Sequence, residues 1–185
     1  MYYKEELLRL NNYFHIFEDY SVGQGDISDS LTDEQIRRKI RDEFIKDATV
    51  LILLCGKETK NRKFIDWELH AAMYDSEKNP KTGILVINLP GSGNGCRAIS
   101  DLEKKIVSPM GSWVQLKTLE EYRNNYPSMP ERLIQNFYKG VLITVINWEQ
   151  AIINTENLKI LIDEAFKRRK TNDYDTHEPL RRRNS

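Results

Sequence analysis

Val50-Leu51-Ile52-Leu53-Leu54-Cys55 is an unbroken apolar run between Thr49 and Gly56, and its reading decides the fold. A half-buried strand alternates apolar and polar side chains. A run without alternation is covered on both faces, which is the mark of a parallel sheet flanked by helices. Gly83-Ile84-Leu85-Val86-Ile87-Asn88-Leu89 repeats the pattern, and residues 141–148 are strand-like again. Helical periodicity fills the intervals between these runs. Strands alternating with helices give an α/β fold with a doubly wound, flavodoxin-like parallel sheet and helices on both faces.

Working outward, Thr32-Asp33-Glu34-Gln35 has the form of a capping box and opens a helix striped by Ile36, Ile40 and Phe44. After the first strand, residues 56–60 turn the chain. Asn61 is then the expected N-cap of a helix over residues 62–77. Tyr3, Leu7 and Leu10 place a helix over residues 2–12, and the aromatic run 14–20 suggests a short strand before a loop at 21–31. Further on, the pattern predicts a short helix over 101–107 and a strand over 112–116. Ser128 and Pro130 start a helix that Gly140 ends, and Asn154 caps a long helix carrying Leu158, Ile162, Ala165 and Phe166. Residues 1–170 read as one domain. Residues 171–185, polar and ending in Arg181-Arg182-Arg183, read as a mobile, solvated tail.

Composition removes several classes. With 28 Lys+Arg against 28 Asp+Glu the net charge is +0, so nothing supplies the clustered positive excess that nucleic-acid binding needs. No apolar run approaches the ~20 residues of a membrane span, and no hydrophobic leader follows Met1. Two cysteines without CxxC spacing exclude a disulfide scaffold or Cys-based zinc site, and the expected compartment is the cytoplasm. A mean hydropathy of -0.62 fits a well-solvated surface.

In open α/β sheets, ligands sit beyond the carboxyl ends of the strands. Gly91-Ser92-Gly93-Asn94-Gly95 lies at that rim, but it lacks GK[ST] and has GxGxG where a dinucleotide fingerprint has GxGxxG. It reads as a flexible connection. The histidines are scattered and Glu68-Leu69-His70 is not HExxH, so no metal is expected. On the helix after the first strand, Glu68 falls beside the apolar stripe of Ile65, Leu69, Ala72 and Met73. By spacing alone, Asp66 and Glu68 read as surface acids that complement the helix dipole.

The segment Val50-Leu51-Ile52-Leu53-Leu54-Cys55-Gly56-Lys57-Glu58-Thr59-Lys60-Asn61-Arg62-Lys63-Phe64-Ile65-Asp66-Trp67-Glu68 resembles the TIR-like domains of the Thoeris antiphage system, bacterial relatives of the Toll/interleukin-receptor fold. The pattern is a buried strand, Gly, a polar stretch, Asn-Arg, an aromatic, and Trp followed by Glu. Phe17-Glu18-Asp19-Tyr20-Ser21-Val22 looks like the family's second strand running into its BB loop. Pro130-Glu131-Arg132-Leu133-Ile134 looks like a later helix start. The family normally begins with a strand at the centre of the sheet. Here Met1 already falls in the first helix, so the expectation is a sheet without that strand.

The resemblance implies cleavage of the nicotinamide–ribose bond of NAD, as substrate rather than cofactor, by the helix glutamate that the match places at Glu68. It further implies ADP-ribose or a cyclic ADP-ribose isomer as a signal to a downstream effector, and self-association through TIR surfaces. Asp19, Ser21, Gly56, Thr59 and Trp67 are the implied pocket residues. Two other readings stand beside it. One is a non-catalytic adaptor that docks through residues 21–31, and the other is a nucleoside-processing transferase that also relies on a single glutamate.

Overall fold

The computed structural model describes residues 2–19, 27–28, 30–43, 45–77, 80–107 and 115–184. Three parallel strands, β1 (Val50–Cys55), β2 (Gly83–Asn88) and β3 (Thr144–Asn147), form a sheet in the order β1-β2-β3. The register pairs Val50 with Gly83 and Leu85 with Thr144. Every residue of β2 is buried, as a non-alternating run in the middle of such a sheet must be. Helices α1 (Tyr2–Phe14), α2 (Asp33–Glu43) and α3 (Lys63–Met73) come from the first half of the chain. Helices α4 (Asp101–Val107), α5 (Leu119–Asn125), α6 (Glu131–Tyr138), α7 (Trp148–Ile153) and α8 (Thr155–Arg168) come from the second.

Alternate residues of β2 divide the core. Ile84 and Val86 face Leu69 and Met73 of α3 and Leu133 and Phe137 of α6. Leu85 and Ile87 face Leu7 of α1 and Leu158, Leu161 and Ala165 of α8. Each such Ile or Leu contributes about 1.5–3 kcal/mol by leaving water. Between α2 and α3 a third cluster gathers Ile36, Ile40, Trp67, Ala71 and Leu180. The fold is therefore an α/β arrangement with helices on both faces of a parallel sheet.

The structure departs from the sequence reading in several places. Residues 14–19 form no strand. Helix α1 runs to Phe14, and the Asn11 carboxamide oxygen accepts the Ile16 and Phe17 N–H groups at 2.9 and 2.8 Å. That leaves those donors nothing to give a neighbouring strand. Among the described residues no strand pairs with the outer side of β1. Helix α3 stops at Met73 rather than Glu77, because the Ala72 carbonyl accepts the Thr82 N–H (2.8 Å) and turns the chain toward β2. The third strand is shorter than its apolar run. Helix α5 falls where no element was expected, capped by a box between Thr118 and Glu121. The expected strand at 112–116 lies largely outside the described residues, as do Phe44, Tyr20 and most of the 21–31 loop.

Residues 171–184, read from composition as a mobile tail, lie against the body. Asn172, Tyr174 and Leu180 are buried, and the Tyr174 hydroxyl donates to the Thr82 carbonyl at 3.0 Å. Sparse anchors hold it, among them Asn172, Tyr174, Leu180 and the backbone carbonyls between them. A composition dominated by charge conceals them.

Candidate functional site

Helix α3 divides its circumference among three environments. Trp67 and Ala71 turn toward α2, while Leu69 and Met73 lie on the sheet face. At 100° per residue, Glu68 falls between those stripes, in the second turn. It is half-buried. Desolvation raises its carboxyl above the ordinary value, and the Lys4 ammonium of α1 pulls the other way. Among the described residues no hydrogen bond or ion pair holds this carboxylate. An acid partly dried and lightly restrained can answer to a positive charge that develops beside it.

The other residues expected around Glu68 are placed differently. Gly56 and Thr59 form one closed turn beyond β1. There the Thr59 hydroxyl accepts the Gly56 N–H at 2.9 Å and the Thr59 N–H donates back to the Gly56 carbonyl at 3.0 Å. Trp67 is 0% exposed. Its ring meets Phe64 edge to face, and its indole N–H donates to the Arg181 carbonyl at 2.7 Å. This makes it a core residue, not a pocket wall. Asp19 is exposed on the segment between α1 and α2, and Ser21 lies outside the described residues. Of these residues, Gly56 and Thr59 thus serve a turn, Trp67 the core, and Asp19 stands exposed.

Asp66 is not the surface acid that spacing suggested. Arg132 grips it with two hydrogen bonds, at 2.9 and 3.1 Å, and the Arg132 side chain is only 1% exposed. A bidentate guanidinium–carboxylate pair fixes orientation as well as charge. The signal available in the sequence was Arg132 within the helix-start motif at 130–134, but nothing in that motif names its partner. A cavity of about 230 Å³ opens beside the pair, lined by Lys60, Asp66, Pro130, Glu131, Arg132 and Pro179 among others. Glu68 does not line it.

The Gly91–Gly95 loop, read as a flexible connection, is stitched down by amides. Asn94 accepts the Ser128 N–H (2.9 Å) and donates to Asn88 (3.1 Å) and the Cys55 sulfur (3.3 Å). The loop's own donors are turned inward, with the Gly95 N–H on the Asn125 carbonyl and the Ser92 N–H on that of Leu89. They do not converge as a phosphate cradle would. Burial drives the Cys55 thiol up to about 11, which leaves it unreactive. Glu103, Thr144 and Arg168 form a second buried polar group, in which Glu103 accepts from Thr144 (2.7 Å), from Arg168 and from the Ile99 N–H (2.6 Å). It is fully satisfied and structural. Among the described residues no three His, Cys, Asp or Glu side chains are grouped to hold a metal ion. No described helix is long and apolar enough to cross a membrane.

Compared with known families, the chain matches the model for the TIR-like domain of Thoeris protein ThsB over residues 2–94. That span takes in α1 through β2, Glu68 included. No curated protein and no solved structure matches.

Proposed function

As the chain belongs to the family of Thoeris ThsB TIR-like domains, whose setting is antiphage defence signalling, we propose that it acts there as an NAD-consuming enzyme with Glu68 as its reacting carboxylate. The observation that carries this reading is Glu68 itself. It stands within the matched span, in the second turn of α3, half-buried and with its carboxyl raised by desolvation. Nicotinamide departs from a cationic nitrogen as a neutral molecule, so the breaking C–N bond leaves its electron pair on the ring and needs no acid. Ordinary glycosidases need a second carboxyl group for that protonation. What the reaction asks of the protein is negative charge beside a ribose carbon gaining positive character, together with hydrogen bonds to its hydroxyls. Water then yields ADP-ribose and a proton, or an internal nucleophile closes a cyclic isomer. Either product would serve as a cytoplasmic signal to an effector, with self-association of the domain completing the site.

The test is to incubate the purified chain with NAD, with and without extract from phage-infected cells, beside Glu68→Gln. Released nicotinamide is followed by chromatography. The wild type is expected to release it and the variant to lose at least about 100-fold in rate, the scale on which removing one transition-state charge contact acts. Intact NAD in every wild-type sample, or equal turnover by the variant, overturns the reading. The adaptor reading draws support from one observation, the position of the 230 Å³ cavity away from Glu68. Its signature would be self-association without any NAD turnover.

A further inference from the structure

Helix α3 begins without a cap from its own neighbours. Arg62 stands at the N-cap position and makes no side-chain cap. Asn61, the expected cap, turns its amide to Glu58 instead. The cap comes from far along the chain, where the Asn184 side-chain oxygen accepts the Lys63 N–H at 2.9 Å. One turn further, Asp66 accepts the Arg181 N–H at 2.9 Å, and the Trp67 indole donates to the carbonyl of the same residue at 2.7 Å. The Arg132 guanidinium that grips Asp66 also donates to the carbonyls of Glu178 and Pro179, at 3.0 and 3.2 Å. Leu180 is sunk between α2 and α3, 4% exposed. Arg182 reaches the Leu31 carbonyl and Asp33. Upstream, Asn136 and Asp175 exchange two bonds, at 2.9 and 3.1 Å.

We propose that residues 174–184 are a positioning strap for Glu68, setting the rotation and register of α3 and hence where that carboxylate stands. The inference rests on the reading of Glu68 as the group that acts on NAD. The strap's bonds fall on residues 63, 66 and 67, which at i, i+3 and i+4 share one face of the first turn. Pinned off-axis along that face, the helix is held against rolling as well as sliding. Glu68 follows Trp67 directly, so it inherits whatever angle they impose. A side chain reaches about 5–6 Å from the helix axis, so a roll of about 10° displaces it by about 1 Å. A misplacement of that size costs about 100-fold in rate when geometry is catalytic.

The experiment compares the full chain with a chain ending at residue 173, with Asn184→Ala, with Asn184→Asp, which keeps the acceptor oxygen, and with Trp67→Phe, which keeps the ring. Two readouts are taken: hydrogen exchange of the amides at 63–68, and kcat and KM for NAD. Shortening is expected to lift protection at 63–68 and lower kcat about 100-fold with KM little changed. A peptide of residues 174–184 added back should restore both. Asn184→Ala and Trp67→Phe should show the same pattern in milder form, and Asn184→Asp should match the wild type. If the shortened chain does not fold, the point variants decide. Unchanged exchange in Asn184→Ala and Trp67→Phe overturns the proposal, as does lost protection with unaltered kcat. Should the full chain leave NAD intact, the reading of Glu68 has failed, and with it the catalytic part of the proposal. The exchange data then still decide whether the strap holds α3.

Discussion

A carboxyl group that folding dries out binds its proton more tightly than one in water. Glu68 is in that position, and Lys4 supplies a partial counterweight. The proposed reaction would use the ionised form, so kcat for NAD should rise with pH through a value above the 4.5 of an ordinary glutamate. Because the Lys4 charge lowers that value, Lys4→Met should move the limb further toward alkaline pH. A pH–rate profile of both proteins checks this, and a limb at or below 4.5, or one that Lys4→Met shifts toward acid, counts against it. At this scale the resemblance alone singled out Glu68, and the sequence was silent about its neighbours. Trp-Glu after a buried strand marked the acid. That Trp67 spends its indole on Arg181, and Asp66 its oxygens on Arg132, depends on contacts across 114 and 66 positions, which no local spacing encodes.

Elements were legible where their signals are local. Thr32 and Gln35 exchange the two bonds of a capping box (3.2 and 2.9 Å), Asn154 caps α8 by accepting from Glu156 and Asn157, and Gly140 ends α6 with a φ of +84°. Thr118-Leu119-Glu120-Glu121 carried the same box and would have marked α5. The expected strand at 14–20 failed because aromatic content argues for a strand only if the backbone donors stay available, and Asn11 takes two of them. Closeness of packing also belongs here. A methyl group on Gly83 would stand 2.2 Å from the Ala165 carbonyl oxygen, so β2 and α8 touch backbone to backbone. Gly83→Ala should destabilise the chain by about 1–3 kcal/mol, the usual cost of overpacking. Urea unfolding that shows no loss would mean that α8 can step back freely.

For the molecule as a whole, the covered β2 and the half-covered β1 tell different stories. An interior strand needs nothing more, but the outer side of β1 offers peptide groups that no described strand receives, a known invitation to further pairing. With a net charge of +0, no long-range repulsion keeps copies apart. If self-association completes the site, NAD turnover per molecule should climb with protein concentration, in step with the mass measured by light scattering. Constant specific activity across a wide dilution series, at whatever mass, would dismiss that idea. The overall architecture was readable from three apolar runs. The docking of residues 171–184 was not, since a handful of anchors is lost among charged neighbours.

The cap on α3 also sets a clock. Asn184 lies 121 positions beyond Lys63, and ribosomes add about 5–20 residues per second, so the acid-bearing helix waits roughly 6 to 24 s after its own synthesis for its first turn to be closed. Through that interval the nascent polypeptide holds Glu68 on a loosely seated helix. If Glu68 acts on NAD as proposed, that activity would wait until Asn184 has been made.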